Sequence, residues 1–171
     1  MKLSIPRLET ERLILRGWRQ ADTDDIATLY ADDDVARFIT FEAKAQDRSY
    51  AWRMMATFQG HWDFRGYGMW ALEEKASGRC VGWCGHWYPE GWPAPEIGWT
   101  LAKPYWGKGF AVEAARRALA SAREDLKWTK VIHVINPDNA RSIAVATRLG
   151  SKRVGEWQRG EKLLDLYGQD L

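Results

Sequence analysis

Cysteine is scarce in this sequence and long apolar runs are absent. The two cysteines, Cys80 and Cys84, fall in one predicted strand, where a rise of ~3.3 Å per residue places their Cα atoms ~13 Å apart. A disulfide requires a separation below ~7 Å, so both are expected to be free thiols. No apolar run approaches the ~18 residues of a membrane-spanning helix, and the N-terminus lacks a signal-peptide core. These absences predict a cytoplasmic protein with no membrane partner.

An excess of charge of one sign is also missing. The chain has 25 basic and 23 acidic side chains, a formal net charge of +2, and no long basic tract. Nucleic-acid binding depends on concentrated positive charge, so no nucleic-acid partner is expected. The length of 171 residues predicts one domain over 1–171 and leaves both a monomer and a homodimer open.

Tryptophan is abundant, with 11 residues in the chain. A buried indole requires a partner for its N–H group, which makes each one costly to place. So many of them predict either a thick aromatic core or a groove lined for an apolar or cationic ligand.

The most informative stretch is Pro104–Glu113, which follows a predicted strand over 96–101 and opens an Ala-rich helix. Gly107 and Gly109 permit backbone conformations that other residues avoid and let the main chain approach a ligand closely. The free N–H groups and the dipole of the helix start favour an anion there, and Lys108 adds a positive charge. We interpret the stretch as a phosphate cradle, with an ordinary tight turn as the alternative.

Two familiar phosphate-binding motifs do not fit this stretch. A P-loop requires Gly at position 102, where Ala102 stands, and Ser or Thr after the lysine, where Gly109 stands. A dinucleotide fingerprint requires a third glycine where Val112 stands. The cradle therefore belongs to another class of phosphate site.

The remaining hydrophobic patterns predict a mixed α/β sheet with helices on both faces. The strand over 130–135 is apolar and β-branched, and we expect it to be buried on both faces. The predicted strands are 11–16, 68–73, 80–87, 96–101, 130–135, 152–157 and 162–167. The predicted helices are 20–30, 46–62, the Ala-rich helix that follows the glycine turn and ends at about 123, and 139–149.

Five segments, in this order, resemble the GNAT superfamily of N-acetyltransferases, in particular the branch similar to ribosomal-protein N-terminal (alanine/serine) acetyltransferases. They are Leu8–Arg16, Glu96–Leu101 followed by Tyr105–Ala114, Asn139–Ser142, and Leu149–Gly150. The resemblance implies a mostly antiparallel central sheet with a parallel pair at the acetyl-CoA site and helices on both faces.

The resemblance also implies which residues bind the cosubstrate. Backbone N–H groups would hold the pyrophosphate of acetyl-CoA, and the pantetheine arm would lie beside strand 96–101. The residues implied are Trp99, Leu101, Trp106, Gly107, Lys108, Gly109, Phe110, Ala111 and Asn139. Three positions depart from the family pattern: Trp106 replaces Gln or Arg, Ser151 replaces an aromatic residue, and Ala146 replaces the Tyr that protonates the leaving thiolate.

The chemistry of amine acetylation requires a neutral nucleophile. A lysine amine with a pKa near 10.4 costs roughly 4.6 kcal/mol to deprotonate at pH 7, whereas an α-amine near 7.8 costs roughly 1 kcal/mol. Glu96 is the candidate general base, with a rim carboxylate that attracts a cationic acceptor as the alternative. Ser142 is the candidate hydrogen-bond donor to the thiolate, with a helix N-terminal role beside Asn139 as the alternative.

The histidines have weaker patterns. His133 shares a face with apolar residues, which predicts a structural role. His86 shares a predicted strand face with Cys80 and Cys84, but ligands spread along one strand are too far apart for one ion, so no metal is expected. His61 lies late in a helix and is an open candidate for the acceptor site.

The sequence thus predicts an enzyme that moves an acetyl group from acetyl-CoA to a primary amine by direct attack in a ternary complex. The acceptor is a protein N-terminus or a small-molecule amine. A longer acyl group and a non-catalytic acetyl-CoA-binding module are the alternatives, the latter because of Ala146.

Overall fold

The structure, a computed structural model, describes residues 4–171. In this range the strands are β1 (Leu8–Glu9), β2 (Leu13–Arg16), β3 (Met69–Glu74), β4 (Cys80–Trp87), β5 (Glu96–Leu101), β6 (Lys130–Ile135), β7 (Lys152–Arg159) and β8 (Lys162–Asp170). The α-helices are α1 (Thr23–Ala31), α2 (Asp33–Ile39), α3 (Arg48–Arg65), α4 (Phe110–Glu124) and α5 (Ala140–Arg148).

The strands form one sheet in the order β1-β2-β3-β4-β5-β6-β8-β7. Every neighbouring pair is antiparallel except β5 and β6, which are parallel and in register only at Glu96 and Ile132. Beyond that point the two strands diverge, and the His133 imidazole spans the gap through a 2.7 Å hydrogen bond between its Nδ1 and the Ile97 carbonyl. The predicted mixed sheet with one parallel pair is confirmed.

Two hydrophobic clusters lie on opposite faces of this sheet. Along β3 the side chains alternate, so that Trp70 and Leu72 pack in the cluster covered by α4, whereas Met69 and Ala71 pack in the cluster covered by α1 and α3. Alternation is the expected consequence of the two-residue period of a strand. The sheet face that carries Met69 and Ala71 lies toward α1–α3, and the face that carries Trp70 and Leu72 lies toward α4.

A β-bulge in β4 corrects one prediction about the cysteines. Leu72 pairs with Gly82 and Glu73 with Cys80, which leaves Val81 as the extra residue. Cys80 therefore packs on the α1–α3 face and Cys84 on the α4 face, so the expectation that they share a face was wrong. Both thiols are buried and free, as predicted.

Two further details differ from expectation. Strand β6 is fully buried on one face only: Val131, His133 and Ile135 are buried, whereas Ile132 and Val134 on the other face are half-buried. Helix α1 begins at Thr23 because Gln20–Asp22 forms a 3-10 turn. Within residues 4–171, no helix is both long and apolar enough to cross a membrane.

Candidate active site

A cavity of about 1250 Å³ lies beside the end of β5, between α4 and α5. Its walls come from the end of β5, the following turn, the first turns of α4, helix α5, helix α2 and the β1–β2 turn. Residues from the predicted site that line it are Trp99, Leu101, Trp106, Gly107, Gly109, Phe110, Ala111, Asn139 and Ser142. The volume is large enough for a small-molecule ligand.

The glycines of the predicted cradle adopt the conformation for which glycine is suited. Gly107 has φ 71° and Gly109 has φ 82°, both in the left-handed region. Gly109 is the N-cap residue of α4 and offers no side chain to the helix start. The first N–H groups of α4 have no partner within the helix, so they remain available to an anion in the cavity.

The cradle is tied to the β1–β2 turn by Glu113, one turn into α4. One carboxylate oxygen, Oε1, accepts hydrogen bonds from the Thr10 hydroxyl at 2.5 Å and the Arg12 N–H at 2.8 Å, while Oε2 accepts from Arg12 Nε at 2.7 Å. Arg12 also donates from Nη1 to the Lys108 carbonyl at 2.8 Å and stacks on Phe110. This network holds the loop and the helix start in one arrangement.

Trp106 connects the cradle to both of its neighbours. Its indole Nε1 donates to the Leu101 carbonyl at 2.8 Å, which fixes the turn to the end of β5. The guanidinium of Arg141, from α5, lies 3.9 Å from the Trp106 ring centroid. The stack therefore joins the two sides of the cleft.

Lys108 is placed differently from the expectation of a charge aimed at the ligand. Its ammonium nitrogen lies 5.7 Å from the centroid of the Tyr105 ring, and the residues that line the cavity do not include it. Cationic groups reach the cavity from other positions: Arg12, Arg116, Arg117, Arg141 and Arg148.

A second cavity of about 620 Å³ lies on the other face of β5. Nine of the residues that line it are aromatic: Tyr30, Phe41, Tyr50, Phe58, Trp83, Trp87, Trp92, Trp99 and Trp157. Four residues line both cavities: Ile39, Trp99, Thr100 and Ser142. The two cavities therefore meet beside the C-terminal half of β5.

Glu96 lies in the second cavity and is 6 % exposed. Its Oε2 accepts a 2.6 Å hydrogen bond from Trp92 Nε1, and its Oε1 accepts a 2.9 Å hydrogen bond from the Val134 N–H. Burial raises the pKa of Glu96 to about 7, against the opposing effects of these hydrogen bonds and of Arg159. The carboxyl group therefore gains and loses its proton near neutral pH.

Ser142 and Asn139 lie at the start of α5. Asn139 is the N-cap, and its Oδ1 accepts a 3.2 Å hydrogen bond from the Ser142 N–H, so the capping role considered for this pair is present. Ser142 also borders both cavities, and Ala146 is fully buried one turn later. The structure thus places a hydroxyl, and no tyrosine, on this part of α5.

The second cavity is partly covered by two segments that meet above it. Lys162, at the start of β8, donates from Nζ to the Phe41 carbonyl at 2.6 Å and lies 5.6 Å from the centroid of the Phe41 ring. The segment after α2 and the β7–β8 hairpin are joined by this contact. Access is therefore narrower than it would be over an open sheet.

The histidines have structural environments. His133 bonds through Nδ1 to Ile97 and through Nε2 to the Ser151 hydroxyl at 2.9 Å. His61 stacks on Trp87 at 4.6 Å but is not among the described residues that line the second cavity. Within residues 4–171, no group of three or more His, Cys, Asp or Glu side chains is arranged to hold a metal ion.

Sequence analysis missed several residues at these cavities. Glu113 lies four residues after Gly109 on the same helix face, a spacing that helical periodicity makes visible. Arg141 and Arg148 likewise share a face of α5. Arg159 had no such signal, because its position depends on the register of the β7–β8 hairpin.

Comparisons with known proteins show the family to which the chain belongs. The family model described as "Acetyltransferase (GNAT) domain" matches residues 12–152. The chain is 31 % identical over 166 residues to the uncharacterized protein YkkB of Bacillus subtilis (strain 168), covering 90 % of this chain and 91 % of that protein.

Solved structures share the fold. The acetyltransferase from Agrobacterium tumefaciens str. C58 has a TM-score of 0.85 and 28 % identity, and the match covers 99 % of this chain and 96 % of that one. RimL, a ribosomal alpha-N-protein acetyltransferase in complex with coenzyme A, has a TM-score of 0.80 and 16 % identity, covering 97 % and 98 %. The matching family model and the identity to YkkB are sufficient to assign the chain. It belongs to the GNAT family of N-acetyltransferases, enzymes that take an acyl group from acetyl-CoA.

Proposed function

We propose that this protein transfers an acetyl group from acetyl-CoA to a primary amine by direct attack within a ternary complex. The observation that carries the proposal is the meeting of two cavities at Trp99, Thr100 and Ser142. One cavity has the features of an anion-binding cleft, and the other contains a buried carboxylate. A thioester from the first side and an amine from the second would meet beside β5.

The first cavity fits acetyl-CoA in charge and in shape. Its glycine cradle leaves backbone N–H groups free for a pyrophosphate, and its arginines complement further phosphate charge. We assign the N–H groups of 107–111 to the pyrophosphate, with Trp99, Leu101 and Asn139 beside the pantetheine arm. The Trp106 N–H, which was predicted to join them, donates instead to the Lys103 carbonyl at 3.1 Å. Lys108 contributes its backbone to this assignment rather than its ammonium group.

Glu96 is proposed as the general base. Acetyl-CoA supplies an electrophilic thioester carbonyl, and the amine must lose a proton as it attacks. Each Glu96 oxygen already accepts one hydrogen bond and retains a lone pair for the amine or an intervening water. A pKa of about 7 makes this carboxylate a stronger base than an exposed glutamate, whereas a rim carboxylate would not be buried.

Ser142 is proposed to donate a hydrogen bond to the departing thiolate. A matched pair of variants, Ser142→Ala and Thr147→Ala, removes a hydroxyl from the cavity side and from the exposed side of α5. We expect Ser142→Ala alone to lower kcat, by roughly tenfold, because the loss of one donor weakens transition-state stabilisation. Equal kcat values in both variants would contradict this role.

Release of free CoA thiol from acetyl-CoA, followed across a panel of amines and peptides, tests the proposed function. Turnover with at least one primary amine is expected, together with acetyl-CoA binding in calorimetry. Tight binding without thiol release across the panel would instead support a non-catalytic acetyl-CoA-binding module. The alternative is suggested by Ala146, which stands in place of the family's tyrosine. Longer acyl-CoA thioesters in the same assay establish whether acetyl is preferred.

Gly109→Val separates binding from chemistry in this test. The new side chain would impose strain at φ 82° and point toward Arg12 in the cradle. We expect this variant to lose affinity for acetyl-CoA.

Two expectations about the whole chain remain predictions. They are that one domain covers 1–171 and that the protein is a monomer or a homodimer.

A further inference from the structure

The indole of Trp92 contacts two oppositely charged side chains in the second cavity. Its Nε1 donates to Glu96 at 2.6 Å, and the guanidinium carbon of Arg159 lies 4.9 Å from its ring centroid. Arg159 also lies 6.0 Å from the ring centroid of Trp157. A carboxylate on the edge of one ring and a guanidinium over its face are therefore separated by little more than the ring itself.

The charge of Arg159 is not neutralised by the protein. Among residues 4–171, no carboxylate lies within salt-bridge distance of its guanidinium, which is held by aromatic rings instead. The other acidic residue on the cavity wall, Glu90, already pairs with Arg65 at 2.5 Å. Arg159 thus presents free donors and a full positive charge to anything that enters the cavity.

Aromatic and aliphatic side chains make up much of the rest of the wall. Phe58 contacts Trp87 at a centroid distance of 5.5 Å, and Trp92 contacts Trp157 at 4.9 Å. A volume of about 620 Å³ is that of a small-molecule site, and the Lys162 contact described above restricts its opening. Such a wall favours a flat or bulky apolar group.

We propose that the acceptor is a free amino acid with an aromatic or large apolar side chain. Its amine is directed to Glu96, its carboxylate to Arg159, and its side chain to the aromatic wall. Because both charged groups contact the same indole ring, one small molecule with an amine and a carboxylate on neighbouring atoms can face both of them. This inference rests on the proposed function, since it names the acceptor for that same reaction.

The reaction balances without a further reactant. The amine nitrogen forms a bond to the acetyl carbon while the carbon–sulfur bond breaks, and the proton released by the amine passes through Glu96 to the thiolate or to solvent. The products are an N-acetyl amino acid and CoA. Arg159 takes no part in bond making and acts as a specificity-determining residue.

Arg159 also disfavours two other acceptor classes. The first residue of a protein has an amide in place of the carboxylate, so it leaves the guanidinium without an anionic partner. A polyamine would bring a second ammonium group toward the positive charge of Arg159, and the two like charges repel each other. Both classes are expected to react more slowly than a free amino acid.

The test compares acceptors that share one side chain. Phenylalanine, phenylalaninamide and 2-phenylethylamine are assayed for kcat/KM with the wild type and with Arg159→Gln and Arg159→Lys. We expect Arg159→Gln to lower the phenylalanine-to-phenylalaninamide ratio of kcat/KM by about tenfold to a hundredfold. Arg159→Lys retains the positive charge but not the planar, two-pronged hydrogen-bonding geometry of the guanidinium. Its ratio should therefore fall between those of the wild type and Arg159→Gln.

Arg153→Gln is the matched control, because Arg153 is an exposed arginine on the same strand that does not line the cavity. Its acceptor ratio should equal that of the wild type. An unchanged ratio in Arg159→Gln, or an equal loss with all three acceptors, would overturn the inference. Turnover of phenylalaninamide or 2-phenylethylamine under those outcomes would leave the proposed function intact.

A binding measurement keeps the inference testable if no amine is turned over. Tryptophan fluorescence is titrated with N-acetylphenylalanine and with N-acetylphenylalaninamide, since Trp92 and Trp157 line the cavity. Preference for the carboxylate in the wild type, lost in Arg159→Gln, would support the site. Equal binding of the two compounds would contradict it independently of catalysis.

Discussion

Glu96 lies where three different elements determine its protonation. Trp92 approaches from the loop before β5, the Val134 N–H from β6, and Arg159 from β7. Burial is the largest influence and disfavours the charged form, while the other three favour it. At the residue scale, this balance leaves a carboxyl group with a pKa of about 7 that can accept a proton from an amine.

Replacement of Glu96 by Gln tests this account through pH dependence. For the wild type, kcat/KM should rise with pH through an apparent pKa near 7, because the deprotonated carboxylate is the active form. In Glu96→Gln we expect a fall of about a hundredfold or more and loss of that titration. The measurement is a pH profile at subsaturating acceptor.

Glu90→Gln is the control for this prediction. Glu90 lines the same cavity but is exposed and paired with Arg65, so its removal should leave the profile unchanged. A Glu96→Gln profile that still rises near pH 7 would show that another group accepts the proton.

At the scale of elements, α4 and the β1–β2 turn act together. Burial disfavours the charged form of Glu113, but hydrogen bonds from Thr10 and Arg12 outweigh it and hold the pKa of this carboxyl below its usual value. Since Arg12 also binds the Lys108 carbonyl, the charge on Glu113 supports the conformation of the whole cradle. The cradle is thus fixed by a strand turn distant in sequence.

We expect Glu113→Ala to raise KM for acetyl-CoA by about tenfold and to lower the free energy of unfolding by about 1–3 kcal/mol. The reason is that Arg12 and Thr10 lose their acceptor and the loop gains freedom. Steady-state kinetics and urea unfolding measure the two effects. Glu124→Ala, at the exposed end of the same helix, is the control and should change neither KM nor the free energy of unfolding. A wild-type KM for acetyl-CoA in Glu113→Ala would refute the role of the network.

At the scale of the whole molecule, buried histidines on the α4 side of the sheet limit acid stability. His86 bonds to the Ala118 carbonyl at 3.0 Å among aromatic rings, and His133 bridges β5 to Ser151. Burial lowers the pKa of each to about 4. Their neutral forms are required by the fold.

The sign of the pH effect follows from these values. Between pH 6.5 and pH 4 the two histidines bind protons in the unfolded chain but not in the folded protein. As the pH falls through this range, each histidine therefore lowers the free energy of unfolding by about 3 kcal/mol. Glu96 opposes this trend. Its folded pKa of about 7 exceeds 4.5, so its contribution to stability is gained as the pH falls through that window.

Urea unfolding at pH 7 and pH 5 should therefore show a net loss of stability on acidification. Glu96→Gln removes the opposing contribution, so its loss should be larger than that of the wild type. His133→Asn should reduce the difference between the free energies of unfolding at pH 7 and pH 5. The variant also loses hydrogen bonds, which lowers stability at both pH values. Identical pH dependence in all three proteins would contradict the assignment of buried, neutral histidines.

Much of this molecule was predictable from local patterns. The β5 segment, the glycine cradle and the start of α5 were located because strand alternation, the conformational needs of Gly107 and Gly109, and the capping habit of Asn139 are short-range properties. The predicted sheet and family followed from the order of these segments. Lys108 was the exception in the cradle, since the direction of a long side chain depends on neighbours such as Tyr105.

Local patterns could not reveal contacts between distant segments. The bulge at Val81 changed the face of Cys80, and hairpin register brought Arg159 onto Trp92. By itself, the sequence determined the elements, their order and the glycine turn before α4, because these depend on residues a few positions apart. Tertiary structure alone decided the burial of Glu96, the Glu113 network and the chemistry of the second cavity, because desolvation and charge pairing depend on which strands and loops the sheet brings together.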